Sequence, residues 1–479
     1  MKKKVLIVGG GVGGLICGIY CQKNGFETTI LEKTNNAGGN LTGWYRNNCY
    51  IDNCIHWLNG SSKESLLHNI WKEVGAFTDG DEFYQSDYFF VSEHNGKKFG
   101  LNKEIEITEK EMRENCPEDE KQIEKFLRAV KLCKKILSTK KKFVALSSLL
   151  SLLCIYGRKS LKDVKEQCKS PLLKCFFGDY MLPDYSVYIL TFTYAMFLLK
   201  DASVPKMGSL KMASNICEKY KSLSGTILFN KEVEKLDFDG SVIKSVKTKK
   251  GEEYSADYFV FACDPCITFG KLLGEYYMPK KLKKTLANRK CFPLISSFHI
   301  AYDVNLEKVD IPDSIIFDCD PIKIGVSTYS RLTLRNYSYG KNYAPKGHFV
   351  MQIFLQQRES DYDYFNSLSK QEYEKEKSRI SEQVTKEIVK HFKIFENKIS
   401  ILDCWTPLTY THYFNSYKGS YLCFGLTKKF SIKSISPKIP FCENAYLSTM
   451  WQRQFGGLPV ALQCGIECAK AIKKSNDVI

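Results

Sequence analysis

Residues 4–15 read KVLIVGGGVGGL. Lys4 to Val8 is a short apolar run of the kind that forms a strand buried on both faces. The glycines that follow satisfy G-x-G-x-x-G through Gly9, Gly11 and Gly14, and Leu15 to Lys23 then takes up helical spacing, with Leu15 and Ile19 on one side. Thr28 to Leu31 is β-branched and apolar and ends at Glu32, 18 residues after Gly14. A glycine motif between strand and helix, with an acidic residue closing the next strand, is the context of a dinucleotide fingerprint. Gly9 permits the tight turn, Gly11 lets backbone amides approach a pyrophosphate with no Cβ in the way, and Gly14 lets helix and sheet pack closely. The helix start offers unpaired N–H groups and a positive dipole end to phosphate. Glu32 is placed to accept hydrogen bonds from the adenosine ribose, and its charge disfavours a 2′-phosphate.

This motif alone fits NAD or FAD. Two further features point to FAD. Ala37-Gly38-Gly39-Asn40-Leu41 is a second glycine turn, beside which an extended dinucleotide can run at little steric cost. Near the far end, Phe455-Gly456-Gly457-Leu458-Pro459-Val460 precedes an apolar helical run to Ile472, with glycines and then proline marking a helix start. A remote helix N-terminus beside the flavin would stabilise its anionic reduced form. The expected cofactor set is Gly9, Gly11, Gly13, Gly14, Glu32, Gly38, Gly39, Asn40, Leu41, Gly457, Leu458, Pro459 and Val460, with no metal.

Composition narrows the partners. The 479 residues carry 70 Lys+Arg against 53 Asp+Glu, a net charge of +17. No nucleic-acid motif accompanies that excess, so nucleic acid drops out, leaving a Lys-rich surface or anionic lipid. Nineteen cysteines follow an amino terminus, Met1-Lys2-Lys3-Lys4, that has no signal-peptide pattern, so a cytoplasmic chain without structural disulfides is expected. The pair Cys263 and Cys266 is a weak redox or metal signal, lacking a second pair or a histidine beside it. The apolar stretch Phe143 to Tyr156, shorter than the ~18 residues of a membrane span, follows Lys140, Lys141 and Lys142 and precedes Arg158 and Lys159. It suits a core helix or one lying in a membrane surface.

Between the two glycine-rich ends, Glu104 to Lys131 reads as a solvated helix face, Leu210 to Lys221 as a helix, and Lys370 to Lys393 as a long charged helix. Thr226 to Phe238 and Val242 to Lys247 read as a strand pair turning at Asp239-Gly240, and Tyr258 to Cys263 as a buried strand. The expected class is α/β.

Four blocks in order, VLIVGGGVGGL with LEK, AGGN and YIDNCIHWL, then DYFVFACDP, then WTPLTY, then YL with GGLPVALQCG, resemble the phytoene desaturase-like flavoproteins of the flavin amine oxidase superfamily. That group includes carotenoid desaturases and isomerases and retinol saturases. The resemblance implies a discontinuous Rossmann-type FAD-binding domain (1–95, 205–275 and 430–479) and a second mixed α+β substrate domain (96–204 and 276–429). It assigns Val233 to a backbone contact with adenine and Gly457 to Val460 to the flavin end. Asn40 stands where the group usually has Arg, Cys54 where Gly is common, and Met207 replaces a glycine before Ser209.

The resemblance also implies hydride exchange between flavin N5 and a C–H or C=C of an apolar, isoprenoid or polyene substrate. The cofactor carries that chemistry, which agrees with the sparse acid–base motifs. His56 is the one candidate catalytic side chain, placed to position substrate or exchange a proton. Tyr410, His412 and Trp451 are candidate pocket residues. No second dinucleotide motif is present, so NADH and NADPH are expected to be poor reductants, and the electron partner stays open. Contact with the inner face of a membrane is the further expectation for an apolar substrate. A flavin amine oxidase of soluble amines and a non-catalytic lipid-binding escort protein are the alternatives.

Overall fold

A computed structural model describes residues 2–340, 342–429, 431 and 433–477. The strand Lys4–Val8 lies at the centre of a five-stranded parallel sheet, in the order Thr226–Leu228, Glu27–Leu31, Lys4–Val8, Tyr258–Phe261, Ala445–Leu447. Period-two alternation sorts its side chains. Val5 and Ile7 pack with the helices Val12–Lys23, Gly208–Ser222 and Leu458–Asn476. Leu6 and Val8 pack on the other face with Phe259, Phe261 and the antiparallel strands Val233–Asp239 and Val242–Thr248. Cover on both faces is why the strand is a continuous apolar run.

The expected strand pair is corrected in its first member. Thr226–Leu228 pairs with Glu27–Leu31 in the parallel sheet, and only Val233–Asp239 forms the hairpin. Asn230, at φ 57°, turns the chain between them, a left-handed conformation that asparagine tolerates.

A second, seven-stranded sheet runs in the order Ile399–Trp405, Ser296–Val304, Phe349–Gln357, Ser327–Asn336, Ser314–Ile324, Tyr88–His94, Lys97–Asn102. The expected segment 1–95 would include Tyr88–His94, but that strand's hydrogen bonds go to Lys97–Asn102 and Ser314–Ile324, so strand pairing draws the boundary ahead of Tyr88. One face of this sheet is covered by the helix Lys370–His391 through Ile380, Val384 and Ile388. The other face looks into a cavity shared with the parallel sheet.

Residues 105–198 form a helical layer over that cavity. The expected 104–131 helix is two, Ile105–Asn115 and Glu120–Ser138, divided at Pro117, and both bury an apolar stripe. The helix Lys142–Tyr156 rests on this layer through Leu152, Ile155 and Tyr156, with Ser148 buried beside them. Its other side is exposed: Phe143 is 83% accessible, Leu146 56% and Leu150 57%. Among the described residues no helix is long and apolar enough to cross a membrane.

Candidate active site

A cavity of about 1880 Å³ begins at the glycine loop and ends on the second sheet. Single-ligand pockets are usually about 300–1,000 Å³. The volume suits an extended dinucleotide with a substrate beside it.

At the first end, Gly11 caps the helix Val12–Lys23 with no side-chain hydrogen bond to the cap, so the helix-start amides keep their capacity for an anion. A Cβ on Gly14 would lie 2.1 Å from the Gly9 carbonyl oxygen, so that glycine is demanded by packing. A Cβ on Gly11 would meet no protein atom within 4 Å and would project into the cavity. Packing therefore does not require glycine at 11; a ligand passing there does. The second glycine turn closes on the first, Gly38 N–H donating to the Gly10 carbonyl at 2.8 Å. Leu41 is buried behind it. Asn40 lines the cavity with its Oδ1 buried and without a partner.

Glu32 sits at this end, but its carboxylate already holds protein. Its Oε2 accepts from Gly10 N–H at 2.7 Å, and its Oε1 accepts from the Thr34 N–H and hydroxyl at 2.8 Å each. A carboxylate offers about four acceptor positions, so one stays open toward a ribose hydroxyl. Val233 lines the cavity beside it, where the chain is tied by Lys231 N–H donating to the Glu32 carbonyl at 2.8 Å.

The other end is made by the last helix. Gly457, at φ 114°, caps Leu458–Asn476 with Pro459 in its first turn, and Gly457 to Val460 all line the cavity. The two ends are joined directly: Ser448 Oγ–H donates to the Gly13 carbonyl at 2.8 Å. An uncapped helix start, a Cβ-free passage and an orphaned amide oxygen in one channel fit FAD.

Beyond this channel the wall is aromatic. His56 lines it, 4.8 Å from Phe354 between ring centroids and stacked at 6.4 Å on His299. Its Nδ1 has no partner. Burial, then the positive charge of Arg335, pushes the His56 imidazole well below its ordinary range and His299 down to about 3. Both rings are neutral at physiological pH, so neither is poised as a base near pH 7. Tyr410 and Trp451 are buried and line the cavity, as does His412. The Tyr410 hydroxyl is held in a network, accepting from Trp405 Nε1–H at 3.2 Å and donating to Asn53 Oδ1 at 3.1 Å. Cys263 donates its thiol proton to the Val8 carbonyl at 3.1 Å, and burial raises it to about 12, unlike a redox thiol.

Arg335, on the cavity wall, and His299, buried behind the His56 ring, escaped the sequence reading. Strand alternation carries the signal. In Ser330-Arg331-Leu332-Thr333-Leu334-Arg335, the leucines face the covered side and the arginines and threonine face the cavity.

The chain belongs to the flavin containing amine oxidoreductases, whose sequence pattern matches residues 12–472. It is an FAD-dependent oxidoreductase. A 1-hydroxycarotenoid 3,4-desaturase from a Flavobacterium species is 22% identical over 344 residues, spanning 63% of this chain and 67% of that one. A 4,4'-diapolycopen-4-al dehydrogenase from Metabacillus indicus is 27% identical over 132 residues, 27% of this chain and 26% of that protein. The crystal structure of cyclohexylamine oxidase from Brevibacterium oxydans shares the fold over 100% of both chains, with a TM-score of 0.61 at 12% identity.

Proposed function

We propose that this flavoenzyme acts on a C–H or C=C bond of an apolar, polyene- or isoprenoid-like substrate, as a desaturase, saturase or isomerase. The observation that carries the reading is the cavity wall past the flavin end, built from Trp57, Phe89, Tyr180, Ile189, Phe354 and Tyr421. FAD, when bound, supplies the two-electron chemistry. The chain holds the cofactor through the glycine loop, the 38–41 turn and the Gly457–Val460 helix start, and its aromatic wall orients an apolar chain and excludes water. The neutral His56 serves to pack against substrate rather than to move a proton. The carotenoid-acting relative supports the same reading.

An amine substrate finds little here. Asp179, an acid lining this wall, is already held by Arg331 through two hydrogen bonds of 2.7 Å, so it is not free to pair with an ammonium group. The test is anaerobic mixing of the oxidised and the reduced holoenzyme with polyenes, retinoids and amines. Bleaching or recovery of the flavin band with polyenes or retinoids is expected. Reduction by amines alone would replace this function with amine oxidation, and a purified protein that takes up no flavin would revive the escort reading.

A further inference from the structure

Two arginines on one strand face the cavity, and they differ. Arg331 is neutralised: Asp179 accepts from its Nε–H and Nη2–H at 2.7 Å each, and Asp318 accepts from Nη1–H. Arg335, four residues along on the same face, forms no ion pair among the described residues, and its Nε is buried without an acceptor. Its cross-strand neighbours do not fill the gap. They are Ser314 and Gln352, and the Gln352 amide is donated to the Asp52 carbonyl at 3.0 Å. The charge is felt by Tyr180, Tyr421, His56 and His299, which places it within the aromatic wall.

A guanidinium with no carboxylate beside it keeps donors that no protein acceptor fills. A fold keeps one where an anion arrives. The cofactor's pyrophosphate is not that anion, since the helix start at Gly11, which carries no side-chain cap, already complements phosphate. We infer that Arg335 receives the carboxylate of an apolar ligand, a hydrocarbon or polyene acid whose chain lies along Tyr180, Phe354 and Tyr421. The planar fork of the guanidinium matches a carboxylate through two parallel hydrogen bonds, which neither an alcohol nor an amine can reproduce. This inference rests on the apolar-substrate reading and adds the head group to it.

The experiment is equilibrium binding of oleate, oleyl alcohol and oleylamine to oxidised holoenzyme, below their aggregation concentrations, read by quenching of tryptophan fluorescence. Trp57 and Trp405 both line the cavity. Oleate is expected to bind roughly ten-fold or more tighter than oleyl alcohol, with oleylamine weakest. Arg335→Met should bring oleate down to the level of the alcohol, leave the alcohol unchanged, retain FAD, and melt no lower than the wild type. Arg335→Lys should keep part of the preference. Equal binding of acid and alcohol by the wild type overturns the inference alone. Loss of FAD, a lower melting temperature, or failure of Arg335→Met to fold assigns the arginine to cofactor or structure and also overturns it. If none of the three ligands binds, the apolar-substrate reading falls, and the inference with it.

Discussion

Gly10 and Glu32 are 22 residues apart, yet the backbone N–H of Gly10 donates to a Glu32 carboxylate oxygen at 2.7 Å. The side chain expected to meet the ribose thus also fixes the loop that meets the pyrophosphate. Glu32→Ala leaves a buried N–H unpaired, at a cost of about 1–3 kcal/mol. The expected result is a lower melting temperature even for FAD-free protein. Glu32→Gln keeps an acceptor oxygen and should melt closer to wild type. Melts of the apo-proteins, with FAD content beside them, check this; an apo Glu32→Ala that melts like wild type removes the loop-holding role.

Gly11 and Gly14 should separate binding from folding. Alanine at 11 meets open cavity, whereas alanine at 14 drives a methyl to 2.1 Å from the Gly9 carbonyl oxygen. Gly11→Ala, or more strongly Gly11→Val, is expected to give folded protein with little or no FAD. Gly14→Ala is expected to lower stability before any cofactor is added. Circular dichroism melts and flavin content of the two variants measure the split, and similar melts for both apo variants would contradict it.

Asp264 gives the fold a pH dependence. It caps a short helix by accepting from Cys266 N–H at 2.8 Å and ties down Tyr417 N–H at 2.9 Å. Burial raises its carboxyl to about 7, against the pull of those amides and of Arg289. A folded-state value above the unfolded one means that the folded state holds the proton more tightly. The stabilisation is therefore complete below about pH 4 and is lost as pH rises toward 7, falling by about 1.4 kcal/mol for each pH unit crossed. Asp264→Asn should flatten the slope of melting temperature against pH over that interval. Parallel slopes for variant and wild type would show that Asp264 does not titrate there.

The helix Lys142–Tyr156 presents Phe143, Leu146 and Leu150 outward beneath Lys140, Lys141 and Lys142. As a membrane-surface element it should bind anionic liposomes at low salt, each basic residue contributing about 1 kcal/mol near the surface. Binding should weaken as salt rises and vanish when the three lysines become glutamate, with FAD content unchanged. Co-sedimentation measures it. Binding that ignores the charge reversals, or none at low salt, would leave the exposed stripe without a lipid role.

The glycine loop, Glu32, the 38–41 turn and the 457–460 helix start are legible because each is a local pattern, set by backbone demands within a few residues. His299 and Arg335 are not. Each comes to the site only through pairing with strands far away in sequence, and a polar residue alternating with apolar ones in a strand reads equally well as solvent-facing. Tyr88–His94 is misplaced for the same reason, its partner strand beginning at Ser314. Glu32 shows itself by its charge, while its grip on Gly10 depends on how the loop folds back.

The parallel sheet is finished by Ala445–Leu447, and the first helix is covered by Leu458–Asn476, where a Cβ on Gly465 would fall 2.7 Å from the Ile16 side chain. On the ribosome, the glycine loop therefore emerges hundreds of residues before the segment that closes it. A complete cofactor site then waits for the segment that begins at Ala445, and the nascent chain must shelter an unfinished sheet edge at Tyr258–Phe261 until Ala445–Leu447 has emerged. A ribosome stalled before residue 445 would display this edge to chaperones as a flavin-free, half-built nucleotide fold.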